Sequence, residues 1–425
     1  MKEEKTTLIC TVGGSHQPIL RAIEQLRPDH VCFVCSADDP ATGNKGSYLQ
    51  ITGKGNVIKA SPRDEAPTLP NIPTQAGLEA GRFEVLEVSP DDLDDVYRKT
   101  SRWLAARDSR AGRIVADYTG GTKSMSAGLV AAVLDAEGVD LQLVSGSRSN
   151  LVRVESGDEM VMPAGVEATR FERRFRQALE PWSRFAYEES LMALRTIPPP
   201  QDRESCGRLQ LAIGLSEAFA AWDRFDHEAA RDRLSRFRPR IGKQWGSLLG
   251  TLDLIRHPER GEPLRLFDLW RNAQRRAAQG RYDDAVARLY RLLEWSAQWI
   301  LREEQGIDTS DVPPERIPEG IELTPNREGK FQAGLFQAWE LAARLGGDSV
   351  RSFWETHRER MLDHIQRRNH SILAHGFEPL EEGHWRPFAD WLEQTLLPLL
   401  LERSAREPYR IRNLPDQLPD HFGLG

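Results

Sequence analysis

The 425-residue sequence is poor in cysteine, carries no excess of positive charge and contains no long apolar run. The four cysteines are Cys10, Cys32, Cys35 and Cys206, of which Cys32 and Cys35 have the spacing of a redox or zinc pair. The Cys32-x-x-Cys35 pair has no second ligand pair to complete a zinc site and falls inside "HVCFVCS", a strand-like run, so both are expected as core thiols. No stretch is apolar for the length that crosses a bilayer, and "MKEEKTTLIC" lacks the basic-then-apolar order of a secretion signal; the expectation is a cytoplasmic protein with no membrane partner. A net charge of -7 argues against coating nucleic acid through bulk electrostatics, so any RNA contact has to be local. Two basic runs qualify, "RFERRFR" from Arg170 and "RLSRFRPRIGK" from Arg233, although such runs are also the ordinary dress of solvated helix faces. The second half shows no carboxylate cluster at metal spacing and no helix-turn-helix signature, which argues against a two-metal nuclease and a transcription factor; no metal is expected.

What is present divides the chain by pattern. From Thr6 to about Val154, the β-branched runs "TTLICTV", "HVCFVCS", "RFEVLEV", "GRIVADYT" and "VDLQLVSGS" alternate with the helical stretches "QPILRAIEQL" and "DDLDDVYRKTSRWLAAR". That alternation predicts a parallel sheet wrapped by helices, an α/β Rossmann-like domain. Beyond about Glu167 the strands stop and the chain is all-α, rich in Leu, Ala, Arg and Trp and broken by Pro- and Gly-bearing loops. The expected domains are 1–165, a helical linker domain 166–262 and a second helical domain 263–425, with the tail from Arg406 laid irregularly over the helices. "QGRYDDAVARLYRLLEWSAQWIL" looks like a tetratricopeptide unit, but nothing repeats at its period.

In an open parallel sheet, ligands sit beyond the carboxyl ends of the strands, where loops enter helix N-termini. Two loops fit. "CTVGGSHQPIL" ends the first strand, with Gly13 and Gly14 allowing backbone to approach a ligand, Ser15 as a donor and Pro18 in the opening helical turn. "VADYTGGTKSMSAGLVAAVL" leaves a strand at Asp117, turns through Gly120 and Gly121, and enters a helix with Thr122, Lys123 and Ser124. A lysine there opposes the helix dipole, and an anion is the simplest reason for it. The loop is not Walker A, because Thr122 rather than Gly precedes the lysine. Asp117 is expected to be buried and to accept hydrogen bonds from its own turn.

The paired "VGGSHQP" and "DYTGGTKSMSAGLVAA" elements resemble those of the CARF domain, the Rossmann-like sensor of type III CRISPR systems that binds cyclic oligoadenylates. The resemblance covers roughly residues 6–165 and implies a homodimer whose loops line one two-fold pocket. Carried over, Gly13, Gly14, Ser15 and His16 match the first ligand loop; Thr119, Gly120, Gly121, Thr122, Lys123 and Met125 match the second. Ser36 and Ser145 match by strand-end position alone.

Near the C-terminus stands "HIQRRNHSILAHGF", His364 to Phe377, which reads as a helix with Met361, Ile365, Ile372 and Phe377 on its apolar side. Within it "RRNHSILAHG" resembles the HEPN ribonuclease signature: Arg368, then Asn369, then His375 after six intervening residues, with small Ala374 and Gly376 around it. Histidine titrates where a general acid or base is useful, arginine forks a permanently charged cation onto phosphate, and Asn369 can orient either. The catalytic set implied is Arg368, Asn369 and His375. His357 and His364 are expected in surface or capping roles, Glu294 stays outside the set, and a secondary role for His370 is open.

Together the resemblances imply a CARF-HEPN ribonuclease: a homodimer, with cyclic oligoadenylate as allosteric activator rather than cofactor, cutting single-stranded RNA without metal to 2′,3′-cyclic phosphate and 5′-hydroxyl ends in antiviral defence. No stable complex with the CRISPR effector is expected. Two alternatives stay open: a non-catalytic sensor whose HEPN-like bundle only dimerises or binds a partner, and slow cutting of the ring by the CARF pocket itself.

Overall fold

The computed structural model describes residues 5–38, 43, 45–60, 64–107, 112–145, 148–149, 153–154, 160–242, 245–374 and 376–423. The chain divides into two compact units, Met1–Arg173 and Arg174–Gly425.

The first unit is built on a sheet of β1 (Lys5–Val12), β2 (His30–Ser36), β3 (Phe83–Val88), β4 (Gly112–Asp117), β5 (Val139–Ser145) and β6 (Met160–Pro163), in the spatial order β6-β5-β4-β1-β2-β3. β1 lies parallel between β2 and β4, which is why "LICTV" and "VCFVC" are apolar without alternation: each is covered on both faces. Leu8, Cys10 and Val12 pack on one side with Ile19 and Ile23 of α1 (Gln17–Leu26). Ile9, Cys32 and Val34 pack on the other with Val96 of α2 (Leu93–Ala105) and Leu129 and Val133 of α3 (Lys123–Asp135). Cys32 and Cys35 are buried free thiols, as expected, and burial pushes both up. The five expected strands and two expected helices are present. The sheet is not wholly parallel, however: β6 pairs antiparallel with β5 and closes that edge. Sequence alternation did not flag it because "MVMP" is only four residues long.

The second unit is helical, and one continuous core runs from Trp182 to Leu418. After α4 (Glu167–Leu179) come α5 (Tyr187–Arg195), α6 (Arg203–Asp223), α7 (His227–Ser235), α8 (Gly246–Ile255), α9 (Glu262–Ala278), α10 (Tyr282–Gln305), α11 (Leu335–Leu345), α12 (Asp348–Asn369) and α13 (Glu382–Ser404). Of the stretch expected as a separate linker domain, 166–262, the part from Leu179 on therefore shares its core with the helices that follow, and the first unit extends to 173 rather than 165. The reason is a buried polar junction as well as apolar packing. Arg275 of α9, fully buried, donates to Asp223 of α6 at 2.9 Å, to Asp268 at 3.3 Å and to Gln417 of the tail at 2.7 Å. Arg276 also pairs with Asp223, and His227 of α7 meets Asp268 at 2.8 Å. A buried guanidinium is tolerated only when its donors are matched, so these helices and the tail are fixed together. The tail does lie over the helices: the Tyr187 hydroxyl donates to the Pro419 carbonyl at 2.6 Å, and Phe422 stands edge-on to Trp182. Among the described residues, no helix is long and apolar enough to cross a membrane.

Candidate functional site

The chain order turns back between β1 and β4: successive strands build outward through β2 and β3, and the next strand returns to the other side of β1. The crevice at such a reversal is where open α/β sheets hold ligands, and both glycine loops emerge there. They touch. A Cβ on Gly13 would stand 2.5 Å from the Gly121 nitrogen, and one on Gly120 would overlap the Thr11 carbonyl oxygen. Gly121 has φ +81°, where a side chain is strained. The glycines expected to admit a ligand thus first admit each other. Gly14 alone of the four faces open space.

Most loop hydroxyls are already engaged. Thr122 is the N-cap of α3, accepting from the Met125 amide at 3.2 Å and donating to the Pro90 carbonyl. Thr119 Oγ1 accepts from the Val144 amide at 2.7 Å, next to Ser145 at the end of β5, and Thr11 Oγ1 donates to the Gly120 carbonyl at 2.7 Å. Ser36 Oγ, at the end of β2, shares two hydrogen bonds with Ser47. Met125 is in the core below the loop rather than on its surface, and His16 is buried at the start of α1, where burial pushes its imidazole down. What faces outward is Gly14, Ser15 and Lys123, all exposed. Lys123 is in no ion pair among the described residues. Asp117 is buried as expected, accepting from the Thr119 amide at 2.9 Å and from Gln142 at 3.1 Å, with burial raising its carboxyl above the usual range. Sequence reasoning missed Gln50, which donates to the Gly13 carbonyl at 2.8 Å and fixes the first loop.

The second site lies in the helical unit. α12 ends at Asn369, so His364–Phe377 is not one helix. The chain instead loops round, with Ser371 in a parallel bridge to Glu378 and the Ile372 amide bonded to the Glu378 carbonyl at 3.2 Å. A Cβ on Gly376 would overlap the His370 carbonyl, so this turn needs glycine. Of the expected apolar side, Met361 is buried and Ile365 half-buried, but Ile372 and Phe377 are 52% and 89% exposed. Arg368, half-buried in the last turn, holds its guanidinium carbon 4.3 Å from the ring centre of Tyr290 on α10 and reaches Asn369 Oδ1 at 3.3 Å. Arg368 Nε has no partner among the described residues. Burial raises the Tyr290 hydroxyl while Arg368 lowers it, with the first effect larger. Neutral Tyr290 is therefore a ring platform for the cation. His375 lies outside the described residues. His370 Nδ1 is 2.7 Å from the Gln366 carbonyl. His364, expected at the surface, is buried and stacked on Phe388 at 4.3 Å and 10°, and burial lowers it to about 4. His357 is likewise engaged, at 3.5 Å from Trp391 Nε1. Glu294 is tied to Arg291 at 2.7 Å. Tyr290 gave no signal in the sequence, because its partner comes from a distant helix.

Residues 259–397, from just before α9 into α13, match the family model described as "Csm6 HEPN domain". No curated protein matches the chain. Among solved structures, Csm6 of Enterococcus italicus, bound to cyclic hexa-2'-fluoro-hexa-dAMP, aligns over 93% of this chain and 94% of its own with a TM-score of 0.51 at 11% identity. Can2 from Sulfobacillus thermosulfidooxidans, in complex with cyclic tetra-adenylate, aligns over 52% of this chain and 66% of its own at TM-score 0.25 and 10% identity, too low to bear on the fold. The helices α9 to α13 thus match a HEPN-domain model of the Csm6 kind, and the chain as a whole shares its fold with the Enterococcus italicus structure.

Proposed function

We propose that this chain is a ribonuclease switched on by a cyclic oligoadenylate, working as a homodimer in the cytoplasm. The observation that carries the reading is Arg368: a guanidinium held over the Tyr290 ring, beside Asn369, at the end of a helix in the HEPN-matching region and seven residues before His375. In cleavage, a base takes the proton of an RNA 2′-hydroxyl, the 2′-oxygen attacks phosphorus, and the bond to the 5′-oxygen breaks as that oxygen is protonated. The products are a 2′,3′-cyclic phosphate and a 5′-hydroxyl. His375 carries the proton, Arg368 offsets the charge growing on the phosphorane, and Asn369 orients the imidazole or the phosphate. Nothing in this chemistry requires a metal.

A second copy supplies the rest of the cleft. Ile372, Leu373 and Phe377 stand exposed on the turn next to Arg368, an apolar patch of the sort that another subunit covers. The ring is taken by the loops at the sheet reversal, with Gly14, Ser15 and Lys123 facing it from each protomer. For the ring to activate, it has to bind the cutting arrangement better than the resting one.

The test is cleavage of a fluorescent single-stranded RNA in EDTA with no ring, cyclic tetra-adenylate or cyclic hexa-adenylate. Cleavage switched on by one ring, and at least 100-fold slower in Arg368→Ala with dimer and ring binding intact, is the expected result. Silence with both rings despite tight binding overturns it and leaves a sensor that cuts nothing.

A further inference from the structure

Neither site uses the basic turn between α7 and α8. There Phe237 seats its ring against Gly214 of α6, where any side chain on residue 214 would overlap it. With Phe237 anchored inward, Arg236 and Arg238 on either side of it are exposed. Neither makes an ion pair or hydrogen bond among the described residues, and nor does Arg233. Their neighbours are spoken for: Arg231 binds Asp253 at 3.0 Å, Arg240 donates to the Gly207 carbonyl at 3.0 Å, and Arg256 pairs with Glu228. Beside the turn opens a cleft of about 480 Å³, rimmed by Arg238, Ser235 and the Arg231–Asp253 pair. Gly246 and Gly250 of α8 line it, and a side chain on either would meet nothing. Gly250 is in the helix interior, where glycine costs about 1 kcal/mol relative to alanine, so at that position the cleft is kept open against helix propensity.

We propose that this turn and cleft form a surface for single-stranded RNA away from the cutting site, with Arg238 at the rim of the cleft and Arg236 two residues before it forking phosphate oxygens and the cleft receiving a nucleotide. Unpaired guanidinium groups in a chain of net charge -7 complement a phosphate backbone, and the space is of nucleotide size. RNA as the polymer rests on the ribonuclease reading; the charge and the cleft do not.

The experiment reads binding, not cleavage. Fluorescence anisotropy of a labelled 2′-O-methyl single-stranded RNA, which offers no attacking hydroxyl, is followed with the full chain across a salt series. The double variant Arg236→Glu/Arg238→Glu is expected to bind roughly tenfold more weakly at low salt, with the slope of log affinity against log salt shallower by about 1.4, roughly 0.7 for each single-strand phosphate no longer neutralised. Arg238→Gln alone gives about half that change in slope. Thermal midpoint and ring affinity stay at wild-type values, since both arginines are unpaired. Wild-type affinity and slope in the double variant overturn the proposal, as does a wild-type chain that binds no RNA. So does a double variant that keeps RNA binding but loses retention of a poly-glutamate peptide, which reassigns the surface to an acidic protein. A chain that binds RNA here yet never cuts it sinks the ribonuclease reading alone.

Discussion

The two candidate sites are made in opposite ways. In the α/β unit the site is backbone: two glycine loops packed against each other, their hydroxyls spent on internal hydrogen bonds, that of the exposed Ser15 included at 2.8 Å from Gln17 Oε1, leaving Gly14 and one lysine open to a ligand. In the helical unit it is side chain: a guanidinium carried on the last turn of α12 and set by an aromatic ring from α10. A backbone site is rigid because nothing in it has rotamers to lose, and it fails sterically. A side-chain site fails chemically, through loss of a group, while its fold persists.

The largest expected effect tests the rigid side. Gly120→Ala drives a Cβ into the Thr11 carbonyl, with the Gly13 nitrogen 3.2 Å away, and neither atom belongs to a flexible side chain. The α/β unit should lose about 3 kcal/mol in urea unfolding, whereas Gly14→Ala, facing open space, should lose under about 0.5 kcal/mol. Equal losses would mean the loops do not depend on backbone contact. Next in size is Lys123→Ala. Removing an exposed cation from the first turn of α3 should weaken ring binding by about 2 kcal/mol, roughly thirtyfold, by calorimetry. It should leave the thermal midpoint unchanged or slightly higher, because a lysine opposes the helix dipole there. A fall in stability with unchanged ring affinity would make Lys123 structural.

On the side-chain half, Tyr290→Leu keeps bulk and removes the ring. Cleavage should slow by about 1 kcal/mol, roughly fivefold, with Tyr290→Phe close to wild type and ring affinity untouched in both. If Phe is as slow as Leu, the hydroxyl rather than the ring face matters.

The same contrast explains what the sequence could tell. "LICTV", "VCFVC" and the turn residues after them reveal the strands and both loops because composition and local spacing fix them. That Gly13 and Gly120 serve each other is legible only once β1 and β4 are neighbours, since their sequence separation hides it. Around Arg368 the failure is different. No glycine or proline follows Asn369 closely enough to announce the end of α12, so Ile372 and Phe377 read as a continuing apolar stripe when they are exposed on a turn. Tyr290 and the Arg275 junction are tertiary partnerships between charged or aromatic positions on separate helices, which periodicity cannot pair. Arginine in a helix reads as surface until a buried carboxylate is placed opposite it.

His364 provides the smallest effect and one confined to acid. One turn before Arg368 it is buried against Phe388 and Trp391, and burial first, then Arg360 and Arg367, lowers it from 6.5 to about 4, with Asp363 acting the other way. The unfolded chain therefore takes up a proton on this histidine below about pH 6.5 that the folded chain refuses until about pH 4. Its contribution is present in full above pH 6.5 and is lost progressively as pH falls toward 4. His364→Phe, which keeps a flat ring in the stack, should match wild type in urea midpoint at pH 7.5 and exceed it at pH 5. Equal midpoints at both values would mean the imidazole is reached by water and its stacking does not hold the helix that presents Arg368.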